Sequence, residues 1–241
     1  MKTRKRILLS ISALLVTVAL SAQESVQSSS EVTNRHEVSI VIDDIFAKNR
    51  SDNPIYYNKM EYGGYIETNS VSNSKVGIGY KFLFNKSAIR SKVAGYIGND
   101  NYSNGNTQKN DTKKFTLSAN IGYEFHKNIE KTQLFFGVDF VFDYAKLNEN
   151  STSNYNFNML PTTFTYKNST DYQALGFAPL MGVKYFFTKN LSMSTELNCK
   201  TMFYNIKDKS ESSQNPSNEV KNDGVETTFG PLGNLSINYA F

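Results

Sequence analysis

The sequence holds one cysteine, Cys199, which excludes an internal disulfide framework. After an opening apolar stretch there is no second apolar run of about eighteen residues, which excludes a membrane-spanning helix. There is also no real excess of one charge sign. The net charge of +4 is matched by Lys2, Arg4, Lys5 and Arg6 alone, so the rest of the chain is near neutral. A pI of 8.9 is therefore no argument for nucleic-acid binding. Mean hydropathy is −0.45 and charged residues make up 20% of the chain, a composition that on its face looks soluble.

Residues 1–23 read as a signal peptide. A basic start is followed by an apolar stretch from Ile7 to Leu20 and by small residues, Ser21 and Ala22, suited to cleavage. No cysteine stands immediately after the cleavage region, which disfavours a lipid anchor. Residues 24–35, rich in Ser and Glu, are expected to be a disordered lead-in. Residues 36–241 are expected to form one β-barrel domain.

What the chain has in abundance is alternation. Phe115, Leu117, Ala119, Ile121, Tyr123 and Phe125 alternate with small or polar residues, and Leu134, Phe136, Val138, Phe140, Phe142 and Tyr144 do the same. A period of two means strands, because successive side chains leave opposite faces. Pairing Phe125 with Thr132, Tyr123 with Leu134 and Phe115 with Phe142 brings apolar side to apolar side, giving a hairpin around a turn at His126–Lys131. An exported chain that alternates and lacks an apolar helix has the signature of a transmembrane barrel.

Six further strands follow the same rule. Strand 1 covers 36–47, with Val38, Ile40 and Ile42 outward and a bulge or end at Asp43-Asp44. Strand 2 covers 75–84 and strand 3 runs from 87 to about 98, joined by a tight turn at Asn85-Lys86. Their register pairs Phe82 with Ile89, Ile78 with Val93 and Lys81 with Arg90. Strand 6 covers about 172–187. Strand 7 follows a turn at 188–190 and pairs Tyr185 with Met193 and Met181 with Leu197. Strand 8 covers 224–241. Segments 48–74, 99–111, 146–170 and 206–223 are polar and read as long loops, the first with Tyr56, Tyr57, Tyr62 and Tyr65. Long and short connections alternate, as in an eight-stranded antiparallel up-and-down transmembrane barrel with periplasmic termini.

Two aromatic girdles are expected. Phe84, Tyr123, Phe125, Tyr185, Phe187, Tyr239 and Phe241 form one, and Phe46, Tyr96, Phe115, Phe142, Tyr144 and Phe229 the other. The inward face carries Lys81, Arg90, Lys92, Glu124, Asp139, Asp143, Lys184, Glu196 and Lys200. An eight-stranded barrel is only just wide enough for its own side chains. These charges therefore read as a structural plug of ion pairs, with Glu124 reaching Arg90 and Lys184 diagonal to Glu196. Cys199 faces lipid by parity.

Several segments carry a family likeness: Ser21-Ala-Gln23, His36-Glu-Val-Ser-Ile with Asp43-Asp-Ile-Phe, Val76-Gly-Ile-Gly-Tyr-Lys, Asn120-Ile-Gly-Tyr-Glu-Phe-His-Lys, Pro179-Leu-Met-Gly-Val-Lys-Tyr-Phe-Phe, Asn190-Leu-Ser, and Gly230-Pro-Leu-Gly with Phe241. With these the chain resembles the small eight-stranded outer-membrane barrels of the OmpX and OmpA-domain type, in particular the outer-membrane β-barrel family of Bacteroidetes-like bacteria. The resemblance implies a fold and a location in the bacterial outer membrane, with outer-membrane lipid as surroundings. It implies no activity. Tyr239-Ala-Phe241 looks like the signal read by the barrel-assembly machinery.

Chemistry-bearing candidates are few. His36 and His126 fall at the periplasmic rim, whereas outer-membrane barrel enzymes resemble each other in keeping catalytic residues toward the outer leaflet. Asp43-Asp44 and the segment from Asn99 fit no EF-hand spacing. No catalytic, cofactor-binding or metal-binding residue is assigned. The expectation is a non-enzymatic barrel with external loops for surface interaction, adhesion or envelope integrity. The alternatives are a membrane enzyme acting on lipid or peptide, and a soluble lipocalin-like binder with its aromatics inside.

Overall fold

The structure is a computed structural model and describes residues 35–43, 75–84, 86–104, 108–157, 160–213 and 217–241. The signal peptide, the lead-in, Phe46 and the tyrosines of 48–74 lie outside the described residues.

Eight antiparallel strands close into an up-and-down barrel in sequence order: β1 (His36–Asp43), β2 (Lys75–Leu83), β3 (Ser87–Asn104), β4 (Gln108–Ile129), β5 (Thr132–Phe157), β6 (Leu160–Phe186), β7 (Leu191–Ser212) and β8 (Asn218–Ala240). β8 closes on β1, where Ile237 faces Ile40 and Tyr239 faces Val38. At this seam His36 and Phe241 exchange backbone hydrogen bonds of 3.2 and 2.9 Å. Closure removes the sheet edges along the ring that all eight strands share.

The side-chain alternation decides which face is which. Val38, Ile40, Ile78, Val93, Ile121, Phe136, Phe140, Phe177 and Met181 are exposed on the outside. Glu124 and Asp139, at 0% and 1% exposure, are buried inside. This is the inverse of a soluble barrel and removes the lipocalin-like alternative, which requires an aromatic interior. On β5 the outward apolar run from Leu134 to Tyr144 covers roughly 33 Å along the strand, or ~25 Å along the axis at a ~40° tilt. That is the height of the apolar band of a barrel in lipid.

The registers of β2 with β3 and of β6 with β7 are the expected ones: Lys81 faces Arg90, and Met181 faces Leu197. The register of β4 with β5 differs. Phe125 faces Phe136, Tyr123 faces Val138 and Phe115 faces Lys146, four positions from the expectation. β4 continues through the polar residues to Ile129, and the reversal is a two-residue turn at Glu130-Lys131. Glu130 takes a positive φ of 51°, as such tight turns demand. The shift is even, so no side chain changes face.

The polar segments 99–111, 146–170 and 206–223 are not long loops among the described residues. Each is a continuous antiparallel ladder: Asn104 still faces Gln108, Phe157 faces Leu160, and Ser210 faces Asn218. Outside lipid both faces meet water, so the hydrophobic alternation vanishes while backbone pairing persists. Cross-strand polar contacts take over, such as Ser169 Oγ donating to Asn148 at 2.9 Å and Thr170 Oγ1 donating to Asp208 at 2.6 Å. From Tyr144 to Phe157 the β5–β6 ladder runs on past the last outward aromatic by roughly 40 Å at ~3.3 Å per residue.

The turn-end girdle holds Phe84, Tyr123, Phe125, Tyr185, Phe187, Tyr239 and Phe241, all exposed. At the opposite rim Phe115 and Phe229 are exposed and Phe115 contacts Tyr144, while Phe142 is half-buried. Tyr96 is a correction. It shares the parity of Arg90, Lys92 and buried Ala94, so it belongs to the inner face and not to the girdle.

Candidate functional site

The inside of the barrel is where charge collects. Lys81, Arg90, Lys92, Glu124, Asp139, Lys184, Glu196 and Lys200 are all buried there, and Asp143 is half-buried. Their positions follow from one inward row that crosses the sheet: Glu37 faces Lys81, Lys81 faces Arg90, Arg90 faces Gly122, and Gly122 faces Asp139.

Arg90 is the hub. Its Nη1 donates to Glu124 Oε2 at 2.8 Å and its Nη2 to Glu196 Oε2 at 2.9 Å, while Nε lies 3.2 Å from Asp139 Oδ1. A planar guanidinium presents five donors in fixed directions, which suits three carboxylates at once. Gly122 makes this geometry possible. A Cβ there would meet the Asp139 carboxylate and the Val138 carbonyl, so only the absence of a side chain lets Arg90 reach past β4 to Asp139.

Glu124 is held from three directions. Lys81 Nζ donates to its Oε1 at 2.5 Å, His126 Nε2 lies 2.8 Å from the same oxygen, and Arg90 takes Oε2. Above the hub, Lys92 Nζ donates to Asp43 Oδ1 at 3.1 Å and approaches Glu196 at 4.0 Å. Lys75 lies 4.0 Å from Asp143.

Lys184 does not pair with Glu196, contrary to expectation. The two are diagonal neighbours, but Lys184 Nζ donates to both carboxylate oxygens of Glu37, at 2.9 and 2.8 Å. Glu37 stands on β1, across the lumen from β6. Glu196 turns instead to Arg90, whose fork offers better hydrogen-bond geometry than a diagonal ammonium. Glu37 and Asp43 are thus members of the network that the sequence reading did not include. Their signal was present, since both share the parity of buried Val41 on β1.

The remaining space is filled in two ways. Near the turns, Ser194 bonds Ser236 at 2.6 Å, and Asn238 donates to Ser194 at 3.1 Å and to Ser192 at 3.4 Å. Phe135 points inward at 2% exposure, and Lys81 sits 4.9 Å over its ring, a cation–π contact. Toward the hairpin end the inside becomes apolar: Val141, Ala145, Tyr172, Ala174, Ala178, Met202 and Ile206 pack together, joined by Tyr204. The lumen is therefore not polar along its whole length, as small and charged residues had suggested. The alternation of β5 is obscured where apolar residues occupy both faces, as at Phe140 and Val141.

The two histidines sit at the turn end. His36 Nδ1 is 2.6 Å from Tyr80 Oη and its ring stacks on Phe241, while His126 is engaged by Glu124. Asp43, the described member of the Asp43-Asp44 pair, is taken by Lys92. No group of three or more metal-ligating side chains is arranged for a cation among the described residues. Cys199 lies between buried Asn198 and Lys200 on the outward parity, facing Phe229. Tyr239 and Phe241 are exposed at the barrel's seam, at the turn end.

No family model matches the sequence. Over 45 residues, 19% of the chain, it is 40% identical to an uncharacterized 11.5 kDa protein of Thermoproteus tenax virus 1 (strain KRA1), of whose length it spans 46%. Among solved structures it is similar to CarO of Acinetobacter baumannii, with a TM-score of 0.41 and 10% identity over 88% of this chain and 100% of that one. It is also similar to a major outer membrane protein from Thermus thermophilus, with a TM-score of 0.39 and 12% identity over 87% and 100% of the two chains.

Proposed function

We propose that the protein is an integral outer-membrane barrel of the small eight-stranded type, without enzymatic activity, whose external hairpins serve surface interaction, adhesion or envelope integrity. The observation that carries this reading is the contrast between the two faces. The outside is an apolar band of bilayer height, and the inside is filled by the Arg90-centred ion pairs and the Tyr172–Met202 cluster. A filled lumen directs function to the parts that leave the membrane, the hairpins β3–β4, β5–β6 and β7–β8. Their Asn, Ser, Thr and Lys surfaces suit adaptable polar contacts. The surrounding partner is outer-membrane lipid, both termini are periplasmic, and Tyr239 and Phe241 are read by the barrel-assembly machinery. Residues 1–23 serve export and are removed.

Protease treatment of intact cells tests the reading. Cleavage is expected at the far ends of the hairpins β3–β4, β5–β6 and β7–β8 and not at the turns near 86, 130 and 189. Cleavage at the turns alone would reverse the topology, and a protein found wholly in the soluble fraction would overturn the membrane reading. A second check is deletion of Phe241, which should impair assembly and leave export intact. Unchanged assembly would remove the terminal-signal role.

A further inference from the structure

The short turns share a pattern. Phe84 is followed two residues later by Lys86, Phe125 by Lys127, and Phe187 by Lys189. All six side chains are exposed. Lys131 adds a cation to the β4–β5 turn, and Arg35 stands at the seam where β8 meets β1. The cations therefore surround the barrel mouth, at the three turns and at the seam. Glu130 is the one exposed acidic side chain opposing them at this end among the described residues, and none of the four lysines takes part in an ion pair there.

The hairpin end is built differently. There the signs are mixed and matched: Lys113 with Asp111, Lys146 with Asp171, Lys209 with Glu211 and Lys221 with Glu219. Charge asymmetry thus separates the two ends of a barrel whose lumen charges are paired.

We propose that the turn end is a docking ring for anionic phospholipid headgroups, with Lys86, Lys127, Lys131 and Lys189 as its contacts. The inference rests on the membrane reading above. Depth supports a lipid occupant. Each aromatic marks the edge of the hydrocarbon: on β4 Lys127 lies on the order of 6 Å further along the strand than Phe125, and Lys86 and Lys189 lie in the turns just past Phe84 and Phe187, within the headgroup layer. Lysine stems can lie along the aromatic belt while the ammonium meets phosphate. Basic residues held near an anionic surface each strengthen the association about fivefold, and salt weakens it.

The test uses the full mature barrel refolded into phosphatidylcholine vesicles with and without phosphatidylglycerol, followed by urea unfolding at low and high salt. The wild type should unfold at higher urea with phosphatidylglycerol, and high salt should erase the gain. K86Q/K127Q/K131Q/K189Q should fold in phosphatidylcholine and lose the gain. K113Q/K146Q/K209Q/K221Q, which removes as many lysines from the hairpin end, should keep it. If the fourfold turn variant does not fold, K131Q and K189Q alone should each reduce the gain. A gain retained in the turn variants, or absent in the wild type, overturns the proposal. So does an equal gain from soluble polyglutamate without phosphatidylglycerol, which would point to an acidic polymer. Failure of the wild type to insert into phosphatidylcholine would instead refute the membrane reading.

Discussion

Lys184 and Glu37 are 147 residues apart in the chain and meet inside the barrel through two hydrogen bonds, at 2.9 and 2.8 Å. One sits on β6 and the other on β1, so the contact ties opposite walls together. Both side chains are nearly inaccessible, at 1% and 2% exposure. Glu37→Ala should therefore leave an unpaired ammonium and cost roughly 3–5 kcal/mol, while Glu37→Ala with Lys184→Met should recover much of that loss. Urea unfolding in lipid vesicles reads both. Single and double variants of equal stability would show that the pair is not the tie described.

Glu196→Ala makes a contrasting case. It takes one of three carboxylates from Arg90 and a 4.0 Å approach from Lys92, and it leaves Lys184 with its partner. Lys184→Met should then fail to rescue it, whereas Glu196→Gln, which keeps a hydrogen-bond acceptor for Arg90, should be milder. A full rescue by Lys184→Met would contradict the observed pairing.

How far the sequence reaches is visible at these residues. The face of every strand inside the membrane follows from alternation, and the registers of β2–β3 and β6–β7 follow from short turns between apolar runs. The β4–β5 register does not, because His126-Lys127-Asn128 is polar and looks like a loop while its backbone still pairs. The long hairpins escape for the same reason. Glu124 with Arg90 lies between adjacent strands and could be read, but Lys184 with Glu37 depends on ring closure and on the reach of a side chain across the lumen. No linear pattern carries that.

Gly122 lies between Arg90 and Asp139 with no room for a methyl group. Gly122→Ala should cost about 1–3 kcal/mol by overpacking, through displacement of Asp139 or of the Val138 backbone. Double substitution with Asp139→Ala should soften the penalty by removing the clashing carboxylate. The same unfolding assay decides it, and a silent Gly122→Ala would refute the close approach.

Outward positions should respond to depth. Val138→Arg places a charge at mid-belt and should cost ~2–4 kcal/mol, while the same change at Leu134, the outward position of the band nearest the β4–β5 turn, should cost ~0–1 kcal/mol for the charge itself. Equal penalties at both positions would argue against a bilayer around the barrel.

A filled lumen should pass at most small ions. In planar bilayers the refolded protein is expected to give no large, stable steps. Porin-sized conductance would require a wider, emptier interior than the Arg90 network and the Tyr172 cluster leave.

The inside–outside assignment itself is tested by labelling with a lipid-partitioned carbene reagent in vesicles, with the modified residues mapped by mass spectrometry. Neighbouring residues report opposite faces: Phe136, Phe140 and Met181 are exposed on the outer surface, while Phe135, Val141 and Leu180 are buried within. The account predicts label on the first three and none on the second three. Label on Phe135, Val141 and Leu180 with Phe136 and Phe140 protected would reverse the two faces and contradict it.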